Sequence, residues 1–589
     1  MLSRRSVLAV LGSAGIGTAA FQRALAATAE NGPVSLTMIA DAEWVAGIEL
    51  TDPQREAVLN AFKFGQKNLE LVRPIELDNS QLPGLQFTPF ASSASAPDPR
   101  SYSAKATLPL AFDPIAEAVS DDDLAFCSVR QLGKLLRERK ISSVELTKLS
   151  LQRLRQFDPL LKCVVTFMDD LALKQAERAD QELQTGHDRG PLHGIPWGLK
   201  DIFSYPGYPT TWGVWQYRDR VIAEKSAVAE RLEDAGAVLV AKLATNALAG
   251  GSELWYRGIT RNPWNPHKGA GGSSSGPAAA VAAGLVGFSI GTETSASIIG
   301  PSIRCGVVGL RPTYGRVSRH GCMQLCWSLD KVGPICRNVD DCGLVLAAIH
   351  GADPRDAASV DRPFVWPSSR ELSTIRVGYV AKDSDVEQPD ELRLLSDLGM
   401  QLVPVEPPNL KGDFGLPHNE IQAGLVACEA ASAFEHLTRR GEPKGVKGWP
   451  QWFLLGHFHP AVDYLKLNRL RSIVMQRFDK MMQSVDIFVC DQWTSDDHTD
   501  DRWEWYGNFT GHPMVTFPRK FEMTDGFKMP KPHALIGRIY DETTLLAVSH
   551  ACQRALGLTQ RPSLDQFLEL KDQFLEGEES LDVNRYYTN

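Results

Sequence analysis

Apolar and polar positions recur along this chain in two periods. Ser128 precedes Leu132, Leu135 and Leu136, a three-and-four spacing that predicts a helix with a serine cap. Ser142 and Glu145 form a capping box that opens a second helix through Leu149 and Leu154. Leu173, Ala176, Ala179 and Leu183 predict a third, closed by Gly186. Between and beyond these lie short apolar or β-branched runs at 164–167, 237–241, 285–290, 376–380, 486–490, 515–517 and 534–536, which read as strands. Strands alternating with helices predict an α/β fold, a sheet with helices on both faces. No internal repeat is visible.

The first hundred residues follow a different pattern. Arg4 and Arg5 precede an apolar stretch from Val7 to about Phe21, followed by Ala24-Leu25-Ala26. A charged start, an apolar middle too short to span a bilayer and an Ala-x-Ala end predict a signal peptide over 1–26, of the twin-arginine type. The expected location is periplasmic or secreted, with no stable membrane insertion after cleavage. Thr51-Asp52-Pro53 reads as a helix start, and Val58, Phe62, Gly65, Leu69 and Val72 follow on one face until Pro74. Residues from about 76 to 105 are rich in Ser, Pro and Ala, as in a loose connector. Residues 27–110 are therefore expected to be a helical extension plus linker, 111–575 the main domain and 576–589 a tail.

Composition narrows the function classes. Of 589 residues, 43% are hydrophobic and 23% charged, which excludes wholesale disorder and leaves an ordinary globular core. The formal charge of −9 carries no basic footprint for nucleic acid. The ten cysteines contain no Cys-x-x-Cys pair, so neither a zinc site nor a redox motif is expected. Five fall between 305 and 342, where a disulfide stays open. Residues 385–505 hold Trp449, Trp452, His457, His459, Trp493, Trp503 and Trp505. This aromatic density suits either a pocket wall or plain packing.

The chemistry concentrates in three segments. Gly269-Ala270-Gly271-Gly272-Ser273-Ser274-Ser275-Gly276-Pro277 runs into an alanine-rich stretch, a tight turn opening onto a helix. The Gly-Lys-Ser/Thr of a phosphate-binding loop is missing, and no dinucleotide fingerprint follows a strand. Gly291-Thr292-Glu293-Thr294-Ser295-Ala296-Ser297 is a second loop of small residues, suited to close backbone approach and an oxyanion hole. Gly194-Ile195-Pro196-Trp197-Gly198-Leu199-Lys200-Asp201 sets one lysine in an apolar run, where burial lowers its pKa and a neutral amine can act as a base. His320, His457, His459 and His512 have no metal-motif spacing with an acidic partner.

These segments together resemble the amidase signature family, whose members use a Ser–Ser–Lys triad. Cys305-Gly306-Val307-Val308-Gly309-Leu310-Arg311-Pro312-Thr313-Tyr314-Gly315, Asp330-Lys331-Val332-Gly333-Pro334 and Asn508-Phe509-Thr510-Gly511-His512-Pro513 also resemble it. The likeness covers about 120 to 560 and is strongest over 190–345, the signature core, with 385–505 as a variable, substrate-facing region. The resemblance implies an amidase-signature fold, a mixed central sheet covered by helices on both faces. It implies Lys200, Ser273 and Ser297 as catalytic residues, Ser273 following a cis peptide bond in the family. It implies an oxyanion hole from the backbone of Thr294, Ser295, Ala296 and Ser297, a supporting Ser274, and no metal or cofactor. The commonest family pattern has Asp at 293, Gly at 296 and Arg at 299; this chain has Glu293, Ala296 and Ile299. Asp201, Arg311 and Asp330 are expected to be structural.

The implied function is an amidohydrolase acting on a small-molecule or peptide amide, with a homodimer as a possible assembly. Three alternatives stand beside it. One is an amidotransferase A-type glutaminase subunit, which the export signal opposes. Another is an ester or carbamate hydrolase with the same acyl-enzyme chemistry. The third is a catalytically impaired binding protein of the same fold, motivated by Ala296 and Ile299.

Overall fold

The computed structural model describes residues 35–46, 52, 55, 56, 59, 120–250, 253–368, 370–381, 389–409, 418–438, 453, 456, 459–490, 503–569 and 571–575. The signal-peptide, connector and tail readings lie outside them, as do Trp449, Trp452, His457 and Trp493. The chain divides into a small unit, 1–78 with 457–463, and a large one holding the rest. In the small unit Leu36–Ala46 is a helix, and Asp52, Arg55, Glu56 and Leu59 are helical.

In the large unit a mixed sheet is built from β1 (Val164–Phe167), β2 (Pro196–Lys200), β3 (Val238–Leu243), β4 (Phe288–Glu293), β5 (Val308–Arg311), β6 (Lys331–Cys336), β7 (Arg376–Tyr379), β8 (Gln401–Pro404), β9 (Ile487–Val489), β10 (Met514–Thr524) and β11 (Phe527–Gly537). Their spatial order is β1-β3-β2-β4-β6-β5-β10-β11-β9-β7-β8. β2 runs parallel to both β3 and β4, and β7 runs parallel to β8 and β9; the other pairs are antiparallel.

β2, β3, β4 and β6 are buried along their whole length, as strands covered on both faces must be. Alternate residues of β3 feed opposite cores. Leu239 packs with Trp197, Leu199, Phe288 and Ile290 on one face. Val238 and Val240 pack with Leu151, Leu154 and the alanines 278–283 on the other. The helices that cover these faces include α1 (Val129–Arg137), α2 (Ser143–Leu161), α3 (Asp169–Gln184), α4 (Ser275–Ala282), α5 (Ile299–Cys305) and α6 (Val339–Ile349). Ser128 and Ser142 each close a capping box, with Gln131 and Glu145. The α/β expectation and its mixed sheet therefore hold.

The strand readings differ in detail. The run at 285–290 begins too early, because Leu285 N–H still bonds Ala280 C=O at the end of α4, and β4 starts at Phe288. The short runs at 515–517 and 534–536 are the buried ends of one long hairpin, β10–β11. Its outer half is polar and partly exposed, which hides it from an apolar-run reading. The signal was its turn, Asp525-Gly526, both at positive φ (53° and 82°), as a two-residue hairpin requires. All ten cysteines are free thiols, nine of them buried. Among the described residues no helix is long and apolar enough to cross a membrane.

Candidate active site

The site forms where β2 and β4 run parallel and end side by side. Leu199 is opposite Ile290, so Lys200 emerges beside the strand that carries Thr292. Lys200 is wholly buried. Its Nζ donates to Ser273 Oγ at 2.8 Å and to Thr292 Oγ1 at 2.8 Å. Among the described residues no carboxylate lies within ion-pair distance of it. Burial pushes its pKa down to about 7, while Cys322, Asp330 and Glu293 oppose this weakly. An amine poised near neutrality, bonded to a hydroxyl, is equipped to take that hydroxyl's proton.

Ser273 reaches Lys200 from the turn before α4. The Gly272–Ser273 peptide is cis. Gly272 is tightly enclosed: a Cβ there would collide with the Asn246 side chain, so the turn needs a glycine. Ser274 clamps the turn to β4: its Oγ donates to Thr292 C=O at 3.1 Å and accepts from Thr292 N–H at 3.2 Å. Ser274 N–H donates to Ser297 C=O at 3.1 Å, which brings the two loops together. Ser297 is half-buried, whereas Ser273 and Ser274 are buried. Among the described residues no protein group binds the Ser297 hydroxyl.

The loop 294–297 is braced from several sides. Glu293 accepts Ile298 N–H and Ile299 N–H at 2.9 Å each, at the start of α5, and pairs with Arg311 at 2.8 Å. Thr294 Oγ1 donates to Asp330 at 2.6 Å. The other oxygen of Asp330 accepts from Leu325 N–H and Cys326 N–H at 2.7 and 3.0 Å. Burial raises the Asp330 pKa against these donors. Two helices of the 385–505 region or its border, α7 (His418–Ala433) and α8 (Trp503–Thr510), add amides. Gln422 Nε2 donates to Ser295 Oγ at 2.8 Å, and Asn508 Nδ2 donates to Thr294 C=O at 2.6 Å. By contrast, among the described residues the N–H groups of Ser295, Ala296 and Ser297 donate to nothing. Ala296 is not among the described residues with positive φ, so alanine meets no left-handed backbone there.

The longer carboxylate at 293 reaches both the helix start and Arg311. The structural expectations for Arg311, Asp201 and Asp330 match their contacts: Asp201 pairs with Lys242 at 2.8 Å. Neither His320 nor His512 hydrogen-bonds or pairs with Lys200, Ser273 or Ser297 among the described residues. His512 contacts Thr510 Oγ1 at 2.8 Å, and burial holds its pKa down to about 3. His320 faces Glu224 at 3.0 Å. Sequence reasoning missed Thr292, Gln422 and Asn508 as site residues, although Asn508 lies in the Asn-Phe-Thr-Gly-His-Pro motif. An aromatic cluster was also missed. Trp212, whose backbone N–H bonds Asp201 C=O, packs against Phe434 at 6.2 Å, and Phe434 stacks on Phe453 at 5.5 Å.

Known proteins share this arrangement of elements. The family model described as Amidase matches residues 145–506. The A-type subunit of glutamyl-tRNA(Gln) amidotransferase from Geobacter metallireducens is 33% identical, covering 73% of this chain and 97% of its own. Its counterpart from Carboxydothermus hydrogenoformans is 30% identical over 73% of this chain and 98% of its own. The structure of native peptide amidase from Stenotrophomonas maltophilia superposes with a TM-score of 0.64 at 26% identity, covering 74% of this chain and 98% of that one. A family match that spans nine of the eleven strands of the sheet and both glycine–serine loops, with relatives aligned almost end to end, makes this chain a member of the amidase signature family.

Proposed function

We propose that the protein is an amidohydrolase that cleaves a carboxylic or peptide amide through an acyl-enzyme on Ser297. The observation that carries this reading is a wholly buried lysine with no carboxylate partner among the described residues, 2.8 Å from Ser273, beside a loop with three unclaimed N–H groups. In the proposed cycle neutral Lys200 takes the proton of Ser273, and Ser273 takes that of Ser297. Ser297 Oγ then attacks the amide carbonyl. Backbone N–H groups of the 294–297 loop hold the oxyanion. The proton returns through Ser273 to the leaving amine, and water hydrolyses the ester. The reading calls for no metal or cofactor.

The relatives named as amidotransferase subunits favour a second reading, a glutaminase that works inside a complex. The arginine-led N-terminus supports the first, since it suits export to the periplasm or beyond, away from tRNA. Hydrolysis by the isolated chain separates the two. A third reading, an impaired binding protein, loses its motive at Ala296, which needs no special backbone.

The test is a fluorophosphonate adduct mapped by mass spectrometry on the wild type, Lys200→Ala and Ser297→Ala. The expected result is an adduct on Ser297 that both variants lose. Ser297→Ala should cost turnover roughly 10⁶-fold, the scale of nucleophile loss in other serine hydrolases. A folded wild type that takes no adduct would overturn the assignment. Primary amides and C-terminally amidated peptides are the first substrates to screen.

A further inference from the structure

The loop 294–297 is held by a chain of amides whose direction is fixed at one end. Lys331 is buried, and its Nζ has two acceptors, Leu329 C=O and Asn508 Oδ1, the latter at 2.7 Å. A lysine donates to both, so the Asn508 side chain must turn Oδ1 toward it and Nδ2 away. Nδ2 then meets Thr294 C=O at 2.6 Å and Gln422 Oε1 at 3.5 Å. Gln422 in turn presents Nε2 to Ser295 Oγ at 2.8 Å. Asn508 and Gln422 are 0% and 1% exposed, so water does not compete for the bonds of Asn508, and the Gln422–Ser295 bond is open to solvent only on the serine side.

The two end points are consecutive residues. In a trans peptide the C=O of one residue and the N–H of the next point in opposite directions within one plane. A bond that holds Thr294 C=O against Asn508 therefore also fixes where the Ser295 N–H points, away from Asn508. That N–H has no partner among the described residues. The second bond, to Ser295 Oγ, stops the same residue from rotating about its backbone.

We propose that Asn508 and Gln422 are positioning residues that aim the Ser295 N–H at the developing oxyanion. The claim rests on the reading of Ser297 as nucleophile. It also gives α7, a helix of the region that sequence alone marked as variable, a direct part in the transition-state geometry. A structural role alone would lower stability and leave the chemical step of the folded protein unchanged. A positioning role lowers kcat, or the rate of phosphonylation, while KM stays.

The experiment uses the full chain, a fluorophosphonate and an activated ester such as p-nitrophenyl butyrate. Wild type, Asn508→Asp, Gln422→Leu and Gln422→Glu are compared, with the thermal midpoint of each. Losing a correctly aimed oxyanion donor costs about 10²–10³-fold in kcat, so a misaimed one should cost about 10- to 100-fold in Asn508→Asp, with KM within about threefold. Gln422→Leu should lose about 10-fold on the same grounds, and Gln422→Glu should recover most of it, because the Ser295 hydroxyl can turn and donate to the carboxylate. Equal loss in Gln422→Leu and Gln422→Glu, or variants with wild-type kcat, would overturn the proposal. If Asn508→Asp fails to fold, the Gln422 pair decides alone. A wild type that labels on Ser297 keeps the nucleophile reading intact whatever the variants do; a wild type that does not label removes both.

Discussion

Lys200 and Lys242 lie on neighbouring parallel strands, one register step apart, and both are wholly buried. Their surroundings differ. Lys242 meets Asp201 at 2.8 Å, Pro209 C=O at 3.0 Å and Thr210 Oγ1 at 3.1 Å. Among the described residues Lys200 hydrogen-bonds only to hydroxyls, on Ser273 and Thr292. Burial lowers the pKa of both, but Asp201 pulls Lys242 back while nothing comparable acts on Lys200. One lysine is thus half of an ion pair that ties strand β3 to the 209–212 loop. The other is a near-neutral amine bonded to the hydroxyl whose proton it would take. The same side chain at the same depth is an ion-pair partner in one place and, in the proposed cycle, a base in the other, according to whether a carboxylate was placed beside it.

The comparison breaks most sharply by removing each lysine in turn. Lys200→Ala should lower turnover by about 10²–10⁴-fold, the range for a lost general base, measured on the folded variant. Lys242→Met should instead destabilise the fold by about 3–5 kcal/mol in urea unfolding, because Asp201 is left buried and uncompensated, with turnover of the folded fraction little changed. Comparable loss of chemistry in both variants would erase the distinction.

Titration sharpens it. The rate kcat/KM should rise with pH through an apparent pKa near 7, as Lys200 loses its proton. Stability has a definite sign too. The unfolded lysine titrates near 10.4, so between about 7 and 10.4 the unfolded chain binds more protons at this site, and stability rises with pH there. Lys200→Met removes that slope, and its unfolding midpoint should gain on the wild type at pH 7 more than at pH 10. The smallest effect is expected at the exposed pair Lys268–Asp525, 3.2 Å apart with side chains 52% and 71% exposed. Lys268→Ala should change stability by less than about 1 kcal/mol, since water and salt screen such a pair.

Much of the site was legible before folding was considered. Gly271, just before Gly272 and Ser273, sits at a positive φ of 82°, a local demand for glycine, whereas Gly272 is needed because the remote Asn246 side chain fills the space of a Cβ. Ser128 and Ser142 capped the helices they precede for a local reason: a serine hydroxyl reaches the N–H three residues on. Lys200 stood out because the Gly194-Ile195-Pro196 to Lys200-Asp201 run resembles a family motif, while Lys242 sits in an equally apolar run without one. Asp525-Gly526 was equally local and was overlooked beside the stronger apolar runs.

Thr292, Gln422 and Asn508 were not legible in that way. Thr292 meets Lys200 across 92 positions only because β2 and β4 pair in one parallel register. Gln422 and Asn508 reach the loop from helices far along the chain, at distances that depend on how α7 and α8 pack. By itself the sequence determined the helix caps, the tight turns and the motifs that carry the family resemblance, because turn geometry and capping are set by near neighbours. Tertiary structure alone decided which lysine has a carboxylate and which loop N–H groups stay unclaimed, because hydrogen-bond partners remote in sequence are chosen by strand register and helix packing.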